Sequence, residues 1–439
     1  MEFKTSRRGL LKAGISQMVL QSLYPNSAMA KKTEAKNHSL PIMQGATSAS
    51  QTQIVCLIDK HKSFEFLALI PQTGTSILPT RVRQFERKES ETAVVHIYFQ
   101  NLQLNQDYQF VIKNSEQEVV ESRFFQTLDV EKNKARMAFA SCMHDEKLDT
   151  KIWQSLYEQK PDVIFFVGDS VYADSEGPDA TPAVLWRRFC QARTRLPYSY
   201  WPHLIPIFAI WDDHDFGAND KGMEYPHVEE SQTNFQVFFP FDEAYCDVLT
   251  SGPGIAQQLS LFQQKFHLMD NRSFRQEKGS TDIAAHWGKD QQQWHLDCLD
   301  QGGFHWVISG SQMFPGGSIK ESMSGDHKEN LIHLKKQWQT KPARLLFVSG
   351  DIHFSELTQI STEHLGYPSL EITSSCMHSF MLPGLPWLYS NKNRIVSATG
   401  SNFVLVQCQW ERERLDLIIQ SIDKKQRVNF THHFHLENS

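Results

Sequence analysis

The rhythm of apolar and polar positions changes near residue 130. Between residues 42 and 130, apolar residues come in short alternating runs: Thr52–Ile58, Ala93–Phe99, Tyr108–Ile112 and Ser122–Thr127. Asn101, Asn105 and Asn114 sit between them as turn formers, so the pattern predicts a small antiparallel β domain. From Arg136 onward, compact apolar runs alternate with helical spacing. Met137–Ala140, Asp162–Val167, Ile205–Trp211 and Arg344–Val348 predict buried strands. Ile152, Trp153, Leu156 and Tyr157 fall on one face of a predicted helix. Phe403–Cys408 and Leu415–Gln420 read as closing strands of a second sheet, and Thr431–His435 as a solvent-facing final strand. Residues 42–130 are therefore expected to form a β-sandwich, and residues 131–439 an α/β domain.

Four of these α/β runs end in the same unusual way. Met137–Ala140 is followed by Ser141-Cys142-Met143-His144-Asp145, and Asp162–Val167 by Gly168-Asp169-Ser170-Val171-Tyr172-Ala173-Asp174. Ile205–Trp211 empties into Asp212-Asp213-His214-Asp215, with Asn219 and Asp220 shortly after. Arg344–Val348 runs into Ser349-Gly350-Asp351-Ile352-His353-Phe354-Ser355-Glu356. Carboxylates packed at the mouth of a buried strand are costly unless a cation neutralises them. In an open α/β sheet, chemistry collects at the carboxyl ends of strands, so the four ends are expected to meet at one rim.

The donor types sort themselves. A Cys142 thiolate, a Tyr172 phenolate and the His353 imidazole suit a transition metal, ferric iron or zinc above all. Asp213 and Asp351 offer hard oxygens suited to calcium, magnesium or manganese. Asp169 lies between the two sets as a candidate bridge. His144 is either a ligand, a phosphate contact or a hydrogen-bonded rim histidine.

Composition narrows the setting. The chain has 439 residues, a net charge of −6 and basic residues neither in excess nor in a long run, so it carries no nucleic-acid-binding signature. Thr5-Ser6-Arg7-Arg8-Gly9 precedes a modestly apolar stretch and then Ala28-Met29-Ala30, which predicts a twin-arginine export signal over residues 1–30. A polar linker is expected over residues 31–41. These features predict passage through the twin-arginine translocation machinery to the periplasm or beyond, with no integral membrane segment. Seven cysteines without paired spacing leave at least one thiol free or bound to metal.

Leu102–Tyr108 resembles the tyrosine corner of immunoglobulin and fibronectin III-like sandwiches. The strand-end motifs, in this order, resemble those of the alkaline phosphatase D (PhoD-like) family of metallophosphoesterases. Asp270-Asn271-Arg272-Ser273-Phe274-Arg275, Trp287-Gly288, Ile308–Gln312, Thr373-Ser374-Ser375 and His378-Ser379 extend the likeness, with Asn271 where Thr is usual. The resemblance implies a β-sandwich followed by an αββα metallophosphoesterase domain. It implies ferric iron (Fe3+) held by Cys142, Asp169, Tyr172 and His353. Calcium (Ca2+) would be held by Asp169, Asp213 and Asp351, with Asn219 as a helper; Zn2+, Mg2+ or Mn2+ are possible substitutes. The implied activity is hydrolysis of phosphate mono- or diesters.

The chemistry expected of such a site is attack by a metal-bound hydroxide on a small phosphate ester. His214 would then protonate the leaving alkoxide. Asp212 and Asp215 are expected to hold that imidazole and its turn by hydrogen bonds. Arg272 or Arg275 would either clamp a phosphate oxygen or form structural salt bridges. A phospholipase D-like diesterase and a catalytically silent, metal-stabilised secreted binding protein are the alternatives. The apolar, Pro-rich stretch Leu382–Tyr389 would line the entrance, grip lipid or cover a core edge.

Overall fold

The computed structural model describes residues 39–438, apart from 316–320, 381–383 and 390. The predicted export signal and most of the linker fall outside the described residues. Residues 39–438 belong to one compact unit.

The β front is a sandwich of two four-stranded sheets. One runs in the order Ile42–Thr47, Thr52–Asp59, Thr92–Phe99, Arg81–Phe85; the other Ser76–Ile77, Glu65–Leu69, Asp107–Lys113, Val119–Gln126. Alternation explains how the first sheet serves two cores. Ile54, Cys56, Val95 and Ile97 face the sandwich interior, whereas Val55, Leu57 and Val94 join the core of the α/β domain. The expected tyrosine corner is present: the buried Tyr108 hydroxyl accepts the Gln103 backbone N–H at 2.7 Å.

The α/β domain holds two sheets face to face. The first runs Ile207–Ile210, Val163–Val167, Lys134–Ala140, Asn402–Glu411, Arg414–Asp423, Val428–Glu437. The second has eight strands, and Ala343–Ser349 lies inside it between Gly303–Ile308 and Ser369–Thr373. Phe139 and Phe165 of the first sheet stack against Trp306 and Phe266 of the second, with ring centroids 5.2–6.1 Å apart. Fully burying an aromatic of this size contributes roughly 1.5–3 kcal/mol. Phe166, on the opposite face, meets Trp153 of the helix Thr150–Glu158. Leu345 and Phe347 face the other way in the second sheet, beneath Leu334 and Trp338 of the helix Lys328–Trp338. Helices thus cover both outer faces, giving the αββα order.

Two sequence expectations change. Asn402–Glu411 and Arg414–Asp423 close the first sheet rather than the second: Val404 pairs with Phe139 and Leu405 with Ala138. The four motif-bearing strands also do not share one sheet. The first three are adjacent and parallel, with Phe166 opposite Ala140 and Val167 opposite Ile210, while the fourth comes from the other sheet. The rim exists because the two sheets close on each other there.

Candidate metal centre

Glycines make that closure possible. A Cβ on Gly350 would lie 2.3 Å from the Val167 carbonyl oxygen, and one on Gly168 would lie 2.6 Å from the Asp212 Cβ. Ser374 stitches the seam: its hydroxyl donates to the Phe139 carbonyl at 2.6 Å and accepts the Val404 N–H at 3.1 Å. Two residues past their strands, Cys142, Asp169 and Asp351 each take a left-handed backbone, with φ of 53°, 54° and 67°; His353 follows at 60°. Left-handed backbone is uncommon for non-glycine residues and concentrates at functional sites. The turns throw these side chains inward at the rim.

They converge. Cys142, Asp169 and His353 bring one donor atom each within 4.8 Å of one another, as do Asp169, Asp213 and His214. Asp169 belongs to both groups and so lies between the two donor sets. The Cys142 thiol lies 3.4 Å from Asp169 Oδ2, while the buried Asp169 Oδ1 has no hydrogen-bond partner among the described residues. Asp351 reaches the same cluster through its backbone carbonyl, 3.8 Å from the Cys142 sulfur. Tyr172 lies between the imidazoles of His144 and His214, with ring centroids at 4.4 and 4.2 Å, and its hydroxyl is 2.9 Å from Ser379 Oγ.

The electrostatics describe a site that demands cations. Burial pushes the Asp169 carboxyl well above its usual range, and Asp213, Asp212 and Asp215 push it further. Burial likewise raises the Cys142 thiol and the Tyr172 phenol, with the Asp169 charge adding to both. For His214, burial opposes the charge, but Asp213, Asp169 and Asp174 outweigh it and raise the imidazole to about 11. Thiol, phenol, imidazole and a buried carboxylate oxygen without a hydrogen-bond partner among the described residues form a donor set that fits a transition metal beside a harder ion.

Several residues stand elsewhere than expected. His214 is held by Asp174, whose two oxygens lie 2.8 and 3.0 Å from Nδ1. Asp212 and Asp215 hold the His214 turn, as expected, through a capping box, but not its imidazole. Asp215 accepts from the Ser170 hydroxyl and the Val171 and Asp212 N–H groups, fixing the Asp169 turn. Asp212 is bound by Arg272 Nε at 2.7 Å and by Asn271 at 2.8 Å.

Arg272 is fully buried, and its arms are engaged by Asp212, the Lys221 carbonyl and Glu321. Arg275 binds Glu321 and Asp326, both at 2.7 Å. Both arginines thus form the structural ion pairs and hold acids in place; Arg272 has no arm left for a phosphate, and Arg275 Nη1 is buried without a hydrogen-bond partner among the described residues. His144 caps a short turn by accepting the Glu146 N–H, and is half-buried against Tyr172.

Asn219 is exposed, whereas Asp220, Asp213 and Glu321 bring carboxylate oxygens within 4.8 Å of one another. Sequence reasoning missed Glu321 and the role of Asp174. Asp174 closes the second motif and was visible there; nothing local marks Glu321.

All seven cysteine thiols are free. Among the described residues, no helix is long and apolar enough to cross a membrane.

No family model and no curated protein sequence matches the chain. A solved structure described as "Structure of PhoD" aligns over 91% of this chain and 90% of that one, with a TM-score of 0.69 and 14% identity. A predicted phosphoesterase from Streptococcus pneumoniae TIGR4 aligns over 70% of this chain and all but 1% of its own, at TM-score 0.27 and 12% identity. Vps29 from Chaetomium thermophilum aligns over 70% and 100%, at 0.24 and 8%. The last two scores are too low to define a shared fold. The fold is that of the PhoD structure, front sandwich included: two packed sheets between helices, here with acids and histidines at the strand ends.

Proposed function

We propose that the chain is an exported, metal-dependent phosphoesterase that hydrolyses phosphate mono- or diesters. The observation that carries this reading is the convergence of Cys142, Asp169 and His353 with Asp213 and His214 on one rim, sharing Asp169. Cys142, Asp169, Tyr172 and His353 would hold a transition metal, Fe3+ or Zn2+ by donor chemistry and Fe3+ by the PhoD-like resemblance; Asp169, Asp213 and Asp351 would hold Ca2+, Mg2+ or Mn2+ by their oxygens, Ca2+ by the same resemblance. Bound cations of this kind acidify water and neutralise charge on a phosphate under attack. The protein's own part is orientation and proton supply. Asp174 accepts the hydrogen bond of the His214 Nδ1–H, which leaves Nε2 as the nitrogen able to give a proton to a departing alkoxide. Arg272 and Arg275 support this geometry from behind by fixing Asp212, Glu321 and Asp326.

The purified protein should hydrolyse p-nitrophenyl phosphate or its bis-ester and lose that activity to a chelator. Full turnover in Asp169→Ala or His214→Ala would sink the reading. Export is tested by cell fractionation: Arg7→Lys together with Arg8→Lys should retain the protein in the cytoplasm.

A phospholipid-directed diesterase is the second reading. It is favoured by Phe380 and Trp387, which are 57% and 91% exposed next to Ser379 and Tyr389. Ser379 touches Tyr172, and Tyr389 packs on Phe354 beside His353. Parallel assays on a monoester, a diester and phosphatidylcholine separate the two readings.

A further inference from the structure

Ser375 lies between two candidate ligands that come from different sheets. Its Oγ accepts the His353 backbone N–H at 2.9 Å and stands 3.1 Å from the Cys142 sulfur. A serine hydroxyl has one proton to give. With the His353 N–H occupying an acceptor site, that proton is directed at the sulfur.

Ser141 is the other hydroxyl within reach, at 3.3 Å, but it also lies 2.7 Å from the Ser374 carbonyl, the closer and stronger acceptor. Ser375 is therefore the hydroxyl whose proton is committed to Cys142. It is fully buried, and its own N–H is fixed by Ser355 Oγ at 3.1 Å, which in turn donates to Asn402 at 2.6 Å.

We infer that Ser375 is a positioning residue of the metal centre: it holds His353 in its left-handed turn and gives a Cys142 thiolate its hydroxyl hydrogen bond. Partners behind metal ligands orient them and set their donor strength, and removing one typically lowers metal affinity by about 10–100-fold. A hydrogen bond to a thiolate also withdraws electron density from sulfur, so the sulfur-to-metal charge-transfer band moves to higher energy. The inference rests on reading Cys142 and His353 as ligands.

The test uses Co2+ titrated into the metal-free full chain, followed by absorption. Wild type should show a thiolate-to-cobalt band; its absence would overturn the ligand reading and the role of Ser375 with it. Given that band, Ser375→Ala should weaken Co2+ binding by about 10–100-fold and shift the band to lower energy, and Ser375→Thr should restore both. Ser355→Ala separates positioning from general packing, because it loosens the same turn without touching sulfur. It should lower the melting temperature and leave the band in place. An unchanged band and affinity in Ser375→Ala, or an equal band shift in Ser355→Ala, would overturn the assignment. If Ser375→Ala does not fold, Ser375→Cys carries the test, since a weak S–H donor must move the band in the same direction.

Discussion

His214 Nδ1 lies 2.8 and 3.0 Å from the two carboxylate oxygens of Asp174, a residue forty positions earlier in the chain. Asp174 is almost fully buried, with 7% side-chain exposure, so this contact fixes both the tilt of the ring and which nitrogen carries the shared proton. The dependence should appear in the leaving group. Asp174→Asn should lower kcat by roughly 10–100-fold, with little change in KM, as loss of oriented proton donation does. The loss should be larger for an alkyl phosphate, whose leaving oxygen needs the proton, than for p-nitrophenyl phosphate. Equal losses on both esters would assign Asp174 a purely structural role.

The metal-free protein should respond to pH in a way the loaded protein does not. Burial raises Asp212 to about 7, although Arg272 opposes it, and raises Asp215 to about 6, although hydrogen bonds from Ser170 and neighbouring N–H groups oppose it. A carboxyl whose folded pKa exceeds its unfolded value stabilises fully below the unfolded value, and that contribution is lost as pH rises through the folded one. Raising pH from about 4 to 7 therefore charges the rim against itself. Bound cations offset that repulsion. Melting curves with and without added Ca2+ should diverge as pH rises through this window, and a metal-induced gain in Tm independent of pH would contradict the picture.

At the acid end the same protein should fail for a different reason. His295, His267 and His305 form a buried chain of hydrogen bonds. Trp338 donates to His295 at 3.0 Å, His295 and His267 are 3.1 Å apart, His267 and His305 are 2.8 Å apart, and His305 ends on the Gly302 carbonyl at 2.9 Å. With Trp338 donating at one end and a carbonyl accepting at the other, each neutral ring gives one proton and takes one. No acceptor remains for an extra proton.

Burial lowers His295 to about 3 and His305 to about 4, and it lowers His96 and His378 to about 4 as well. Here the unfolded chain binds protons first, so stability is complete above about 6.5 and is lost as pH falls toward 4 and 3. Each such histidine costs about 1.4 kcal/mol per pH unit in that range. Urea unfolding between pH 7 and 4.5 should show a steep fall, and His305→Gln together with His267→Asn should flatten it.

Arg272 should act on stability before it acts on rate. It is fully buried and joins Asp212 to Glu321, so Arg272→Gln leaves Asp212 without its cation and Glu321 with Arg275 alone. Breaking a buried pair from one side costs about 3–5 kcal/mol. Chemical denaturation should report a loss of that size, and Arg272→Lys should recover only part of it because an ammonium lacks the planar fork. An Arg272→Gln variant of unchanged stability but raised KM would restore the phosphate-clamp reading.

What was legible in the sequence, and what was not, follows from the range of the interactions. Cys142, Asp169, Asp213, Asp351 and His353 stood out because each follows an apolar run within a few residues, and that contrast is local. Tyr108 was legible because the short segment Leu102–Tyr108 resembles a tyrosine corner, which is also a local pattern. Gln257–Leu261 and Gln264–Leu268 were invisible as strands because buried Gln257, Gln258, Gln264 and His267 interrupt the apolar pattern while being satisfied inside the fold. The division of the rim between two sheets depends on pairings such as Phe139 with Val404, which no local pattern encodes. Glu321 was hidden likewise, since its meaning lies in Arg272 and Arg275, some fifty residues away in sequence.

The left-handed turns at Cys142, Asp169, Asp351 and His353 carry a consequence for how this chain tolerates change. At most positions, replacing a working residue by glycine weakens the fold. Here glycine is the residue the backbone prefers, and each L-residue kept in its place holds about 1 kcal/mol or more of conformational strain. Cys142→Gly or Asp351→Gly should therefore yield a protein at least as resistant to heat as the metal-free parent, yet unable to assemble the centre. Selection for stability of the metal-free chain alone would erode this rim first, and the sturdier descendants would be the ones that could no longer bind a cation there.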